Sequence, residues 1–328
     1  MHRRNFIVAL GGAVTWPLGA HGQQPAGRVY RVGYFAFGSR EQQLHLSKAF
    51  EEGLRSLGYR VGENVVIEYR FGNGELERLP ALAADLVRLC VDVIVTGNHA
   101  NATAAMKATA TIPIVMTNST DPVGAGLIPS LARPGGNVTG LSVDPGEEIS
   151  GKRLELLKET LPSLSRVGIL WNPDFAPNQN RVISMREATQ TLGFTLVPAE
   201  ARGLDALEQA FAMLARERAQ VLVVLSDGVL FNYRRQIGVM VLRDRLPAIS
   251  SASEYAEAGL LLTYGPDLQD LWHRSAVFVD KIFKGTKAAD LPVEQPIKFE
   301  LVVNLNTAKA LGLDLPLSVL ARADRVIE

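Results

Sequence analysis

Short runs of apolar, β-branched residues recur along this chain. They are separated by longer stretches whose apolar residues return every three or four positions. That alternation is the mark of βαβ units, a parallel sheet wound with helices, and it constrains the fold more than any motif does. Candidate strands are 29–35, 65–69, 91–96, 113–116 and 138–141, then 167–171, 195–197, 221–225, 248–250 and 260–264. Between them, Leu46, Phe50, Leu54 and Leu57 share one helical face that Gly58 ends. Val182, Met185, Thr189 and Leu192 do the same before Gly193. Leu204, Leu207, Phe211 and Leu214 make a third stripe, and Leu268, Leu271, Phe278 and Ile282 a fourth.

Two blocks of about five strands predict two doubly wound lobes. The turns at Pro134–Asn137 and Asp144–Gly146 mark the first passage between them. The chain is expected to cross back near Tyr264 and again near Pro292–Pro296. The first lobe is then 28–141 plus 264–292, and the second 142–263 plus 293–328.

Ahead of these lobes the chain carries an export pattern. Arg3-Arg4 precedes the apolar run Phe6–Leu10, and Ala20-His21-Gly22 places small residues where a signal peptidase reads them. Residues 1–22 are therefore expected to be a cleaved signal, and Arg3-Arg4-Asn5-Phe6-Ile7 also fits the twin-arginine pattern. No cysteine follows this signal to carry a lipid, so the mature chain is expected to be free in the periplasm. Basic and acidic residues number 34 each; loss of Arg3 and Arg4 leaves 32 against 34, a net of −2. Such a balance argues against nucleic acid and against an anionic membrane surface as partners. Cys90 is the single cysteine, so no internal disulfide is available, and its apolar surroundings predict a buried, inert thiol.

In open parallel sheets, ligands bind beyond the carboxyl ends of the strands. In the first lobe those ends offer Phe35, Phe37, Ser39, Thr96, Asn98, His99, Asn118 and Asp121 as ligand-binding candidates. The second lobe offers Asn172, Ser226, Asp227 and Tyr264. Amide and hydroxyl groups, acids and rings together suit a small zwitterion or carboxylate. The same residue types also cap helices and close turns, and for Asp121 and Asp227 both roles stay open. No Walker loop, G-x-S-x-G elbow or H-E-x-x-H is present, and the five histidines are scattered. Neither cofactor, metal site nor catalytic residue is expected.

Longer pieces carry a resemblance. They are Asp121-Pro122-Val123 leading into Ser130–Gly140, Gly151–Leu157, Thr263–Pro266, Asp290–Pro296, Lys298–Leu301 and Thr307–Leu313. Through them the chain resembles the exported substrate-binding proteins of ABC transporters, in the family with tryptophan-binding members. The resemblance implies an α/β, type I periplasmic-binding fold: two Rossmann-like lobes, a three-segment hinge and a ligand in the cleft. It also implies a small-molecule ligand, possession of no enzyme activity, and an ABC permease as membrane partner. Ser226-Asp227 and Asp121-Pro122 match ligand loops of the family. Asn98-His99-Ala100 stands where relatives have Gly-Thr-Pro, and Gly259-Leu260-Leu261 where they have Gly-Gly-Leu. A sensory binding protein for a chemoreceptor or kinase, and an exported α/β hydrolase, are the alternative readings.

Overall fold

The computed structural model describes residues 28–143 and 148–328. The expected signal at 1–22 and the turn at Asp144–Gly146 lie outside the described residues. The first lobe runs β1 (Tyr30–Ala36), α1 (Arg40–Ser56), β2 (Val65–Phe71), α2 (Leu79–Arg88), β3 (Val93–Thr96), α3 (His99–Ala108), β4 (Ile114–Ser119) and β5 (Val138–Ser142). The second runs α4 (Glu148–Thr160), β6 (Arg166–Trp171), α5 (Pro177–Thr191), β7 (Thr195–Glu200), α6 (Leu204–Arg216), β8 (Val221–Val224), α7 (Gly228–Asn232) and α8 (Arg234–Arg243). It continues through β9 (Ala248–Ser250), α9 (Ser253–Glu257) and β10 (Leu262–Gly265). The chain returns to the first lobe as α10 (Leu268–Phe283) and then re-enters the second. There it adds β11 (Glu300–Asn304), α11 (Leu305–Leu311), α12 (Leu317–Leu320) and β12 (Arg325–Ile327).

Among the described residues, the first sheet has the order β2-β1-β3-β4-β5, all parallel. The second is β12-β11-β10-β9-β8-β6-β7, parallel except where β11 meets β10. Both contain the doubly wound 2-1-3-4-5 order, and all ten predicted strands are present. The two extra strands exceed the five expected for this lobe. β12 is three residues long and largely exposed, too short to show a period.

Crossings lie between Ser142 and Glu148, between Gly265 and Leu268, and between Glu294 and Glu300. Ser142 still pairs with Ser119, Tyr264 and Gly265 pair with Leu301 and Glu300, and Glu294 bridges to Leu141. Pairing within each sheet thus runs up to Ser142, Gly265 and Glu294 before the chain passes on. The Pro134–Asn137 turn leads into β5 rather than across: the Asn137 amide donates to the Thr109 and Ile112 carbonyls at 3.0 and 2.9 Å.

Local chemistry sets the helix ends. Ser39 and Gln42 form a reciprocal capping box at the start of α1, and Gly58 and Gly193 take the left-handed turns that follow α1 and α5. The predicted stripes are buried or half-buried, apart from Leu57, just past the end of α1, and Leu204, at the first position of α6, which are exposed. Cys90 is exposed, contrary to expectation. It follows α2 with φ 50°, and this left-handed turn carries the thiol away from the buried face of Leu86.

The α1–α10 contact closes one face of the first sheet. There Trp272 stacks on Tyr34 at 4.7 Å and meets Phe50 edge-on at 6.4 Å, all three fully buried. Gly53 sits where the helices cross, and a Cβ there would overlap the His273 carbonyl oxygen. In an open helix, Gly→Ala gains about 1 kcal/mol. Here the obstacle is backbone that cannot turn aside. Gly53→Ala is therefore expected to destabilise by about 1–3 kcal/mol, read as a lower urea midpoint; a raised midpoint would contradict this packing.

Candidate functional site

The carboxyl ends of both sheets face each other across a cleft of about 380 Å³. Phe37, Asn98, His99, Asn118 and Asp121 line it from the first lobe, and Asn172, Ser226 and Asp227 from the second. The other four predicted residues lie elsewhere. Phe35 is fully buried between the first sheet and helices α2 and α3, on the face of β1 opposite Tyr34. Ser39 is taken up in capping α1. Thr96 is fully buried, on the same side of β3 as the core residue Ile94. Tyr264 packs against Phe299 with ring centroids 6.1 Å apart, and its carbonyl accepts from Arg153 Nε at 2.9 Å.

Capping and lining turn out to be compatible roles. Asn98 Oδ1 accepts from the Asn101 N–H at 3.0 Å and caps α3. Asp227 Oδ1 accepts from the N–H groups of Val229 and Leu230 at 2.7 and 3.1 Å and caps α7. Asp121, at φ 40°, closes a turn onto the Gly124 N–H at 2.8 Å, and Asn172 closes one onto Asp174 at 3.0 Å. A cap engages one oxygen and does not take the rest of the side chain out of the lining.

Sequence reasoning missed the strongest charges. Arg153 and Arg181 both line the cleft from the second lobe. Arg153 is 3% exposed. Arg181 donates to Asn178 Oδ1 at 2.8 Å and to the Ser226 carbonyl at 3.0 Å. A signal for Arg153 was present: it interrupts the buried run with Leu154, Leu156 and Leu157, and a charge there needs a partner. Phe175 and Phe231 were missed as well, because they lie beyond the strand ends, in a loop and a short helix.

The electrostatics follow from burial. Asp227 is 8% exposed, and burial pushes its carboxyl up to about 6 against the pull of two backbone N–H groups and Arg181. Burial lowers the pKa of His99, so its imidazole is neutral at pH 7. His99 Nε2 lies 3.3 Å from Thr103 Oγ1 on the same helix, and its ring lies 5.5 Å from that of Phe175 across the cleft. The lobes also meet where Gln42 donates to the Asn232 carbonyl at 3.2 Å and where His45 lies 3.0 Å from Glu254. A Cβ on Gly228 would come within 2.6 Å of Asn98 Nδ2. Among the described residues, no three His, Cys, Asp or Glu side chains gather to hold a metal, and no helix is long and apolar enough to cross a membrane.

The chain belongs to the family described as ABC transporter substrate binding protein, which it matches over residues 32–327. That family consists of solute-binding proteins, not enzymes. A tyrosine-binding protein of Clostridioides difficile (strain R20291) is 28% identical over 270 residues, covering 81% of this chain and 76% of that protein. A conserved domain protein from Vibrio cholerae superposes with TM-score 0.85 at 29% identity, over 91% of this chain and 100% of the other. An ABC domain from Streptococcus pneumonia in complex with L-Trp superposes with TM-score 0.84 at 25% identity, over the same shares. The fold is the type I periplasmic-binding fold.

Asp227 yields a pH prediction. Its folded pKa, about 6, lies above the 3.8 of the free carboxyl, so between those values the native state binds more protons than the unfolded chain. The contribution of Asp227 to stability is therefore lost as pH rises from 3.8 to 6, and stays lost above that. Asp227→Asn keeps an oxygen for the Val229 and Leu230 N–H groups but does not titrate. Its constant offset depends on the Asn178 amide, which donates to Asp227 Oδ2 at 3.3 Å and would face a second amide. Urea unfolding is expected to show the mutant gaining roughly 2 kcal/mol on the wild type between pH 4 and pH 7. Parallel profiles would remove the raised pKa.

Proposed function

We propose that this chain captures an amino acid outside the cytoplasm, encloses it between the lobes and delivers it unaltered to an ABC permease. The observation that carries this reading is the composition of one cleft built from both lobes. Arg153 and Arg181 supply positive potential on the second-lobe side for a carboxylate. Asp121 and Asp227, with the amides of Asn98, Asn118 and Asn172, supply acceptors for an ammonium group. Phe37, Phe175 and Phe231 supply surface for a side chain, an aromatic one included. The tyrosine-binding and tryptophan-bound relatives support an amino acid over other carboxylates.

Micromolar capture corresponds to about −8 kcal/mol. Charge-assisted hydrogen bonds at about 1.5–3 kcal/mol each, with one buried ring, reach that figure after the costs of ordering. Hinge closure makes the contacts of both lobes simultaneous, so the ligand's preference for the shut form drives the movement.

A thermal-shift screen of the mature chain against L-amino acids tests the ligand class. At least one amino acid is expected to raise the unfolding midpoint by several degrees, and its methyl ester, which lacks the carboxylate charge, to leave it unmoved. No response across the panel, or an equal response to acid and ester, would overturn the reading. Export has its own measurement. Chain recovered from the periplasm is expected to begin at Gln23, and replacing Arg3 and Arg4 by lysine stops recovery only if the twin-arginine route is used.

A further inference from the structure

Helix α7 belongs to the cleft at one end and to the other lobe at its far end. Asp227 caps it, and Gly228, Val229 and Phe231 line the cleft. Its last residue, Asn232, leaves the second lobe and enters a recess in the first. The recess has stiff walls. The end of β1 and the turn Gly72–Gly74 are zipped by N–H bonds from Gly72 to Ala36 and from Gly74 to Phe37, both 2.8 Å, with Asn73 to Gly38 at 3.4 Å. A Cβ on Gly74 would overlap Asn232 Nδ2, and one on Gly38 would lie 3.4 Å from Asn232 Oδ1. The Gln42 side chain donates to the Asn232 carbonyl, closing the recess from above. Asn232 Oδ1 is buried there without a hydrogen-bond partner.

We infer that this recess gates closure: Asn232 is a knob that must seat against bare backbone at Gly74 before the lobes can shut on a ligand. This rests on the reading of capture by closure. Neither Asn232 nor Gly74 lines the cleft, so the pair acts through the position of α7 and not through ligand contact. Two features define the gate. Absence of a side chain at position 74 permits closure, because a wall of hydrogen-bonded backbone cannot move aside. The desolvated Oδ1 opposes closure, because a buried acceptor left unpaired is costly. The shut state is then weakly held until a ligand bridges the lobes. Apparent affinity falls in proportion to the fraction of protein able to close.

Closure can be measured without any ligand. His45 and Glu254 touch across the lobes and lie outside the cleft lining. In a full-length chain with Cys90→Ser, His45→Cys and Glu254→Cys joined by a short bis-maleimide report how often the lobes meet. Gly74→Asn is the wedge: asparagine tolerates the left-handed φ of 83° at this position and adds a side chain. It is expected to slow cross-linking by about tenfold or more and to weaken binding of any ligand found in the thermal screen by a similar factor. Adding Asn232→Ala removes the knob and is expected to restore the cross-linking rate, with the unfolding midpoint unchanged. Asn232→Trp enlarges the knob from the other lobe and gives the same readout should Gly74→Asn fail to fold. An unaltered rate in the wedge variants, or a slow rate that Asn232→Ala does not rescue, would overturn the gate. A gate that behaves as expected in a chain no amino acid stabilises would leave the gate standing and remove the capture reading.

Discussion

Two parallel strands cannot be joined by a tight turn; the chain must travel back over the sheet, and a helix is the economical way to do it. Everything else here depends on that constraint. Crossover helices cover both faces of each sheet, so the central strands are buried and their carboxyl ends deliver the chain to helix starts. Helix starts carry unpaired N–H groups and call for side-chain caps. Two such edges placed face to face make a cleft already furnished with small polar residues. Asn98 and Asp227 are the clearest cases, each satisfying a helix with one oxygen while bordering the cleft. A functional surface is thereby built from groups the fold needs in any case.

Burial then differentiates these groups. Asp227 and His99 both lose solvent on entering the cleft, and both move toward their neutral forms, one upward and one downward in pKa. Arg153 and Arg181 remain charged, since a guanidinium does not release its proton in this range. Raising the pH through 6 therefore adds a negative charge near the fixed positive charge of Arg181. The charge a ligand meets is set by depth in the cleft, and residue type alone does not reveal it.

Much of this was legible in the sequence because periodicity is local. Ten strands and the stripes of α1, α5, α6 and α10 could be read from runs of a few residues. The return of α10 to the first lobe depends on a distant partner, Gly53 against His273, and only the family resemblance and the turn signals hinted at it. β11 and β12 were missed because their pairing is decided by the rest of the sheet. At the cleft, strand-end reasoning placed eight of the twelve candidate residues on the lining. Phe35 and Thr96 misled it because they sit inside their strands, where the pleat fixes which way a side chain faces. Arg153 and Arg181 escaped it because they stand on helices, where a cationic residue ordinarily reads as solvated surface.

The excursion of α10 has a consequence for how the chain comes into being. The first sheet is laid down by residue 142, yet the helix that covers Tyr34 and Phe50 arrives only after the entire middle of the second lobe. On a ribosome, one face of the earliest-made half has only α1 to cover it until synthesis is almost finished. A nascent chain of this kind keeps apolar surface within reach of chaperones for much of its birth, and locks into its final form late.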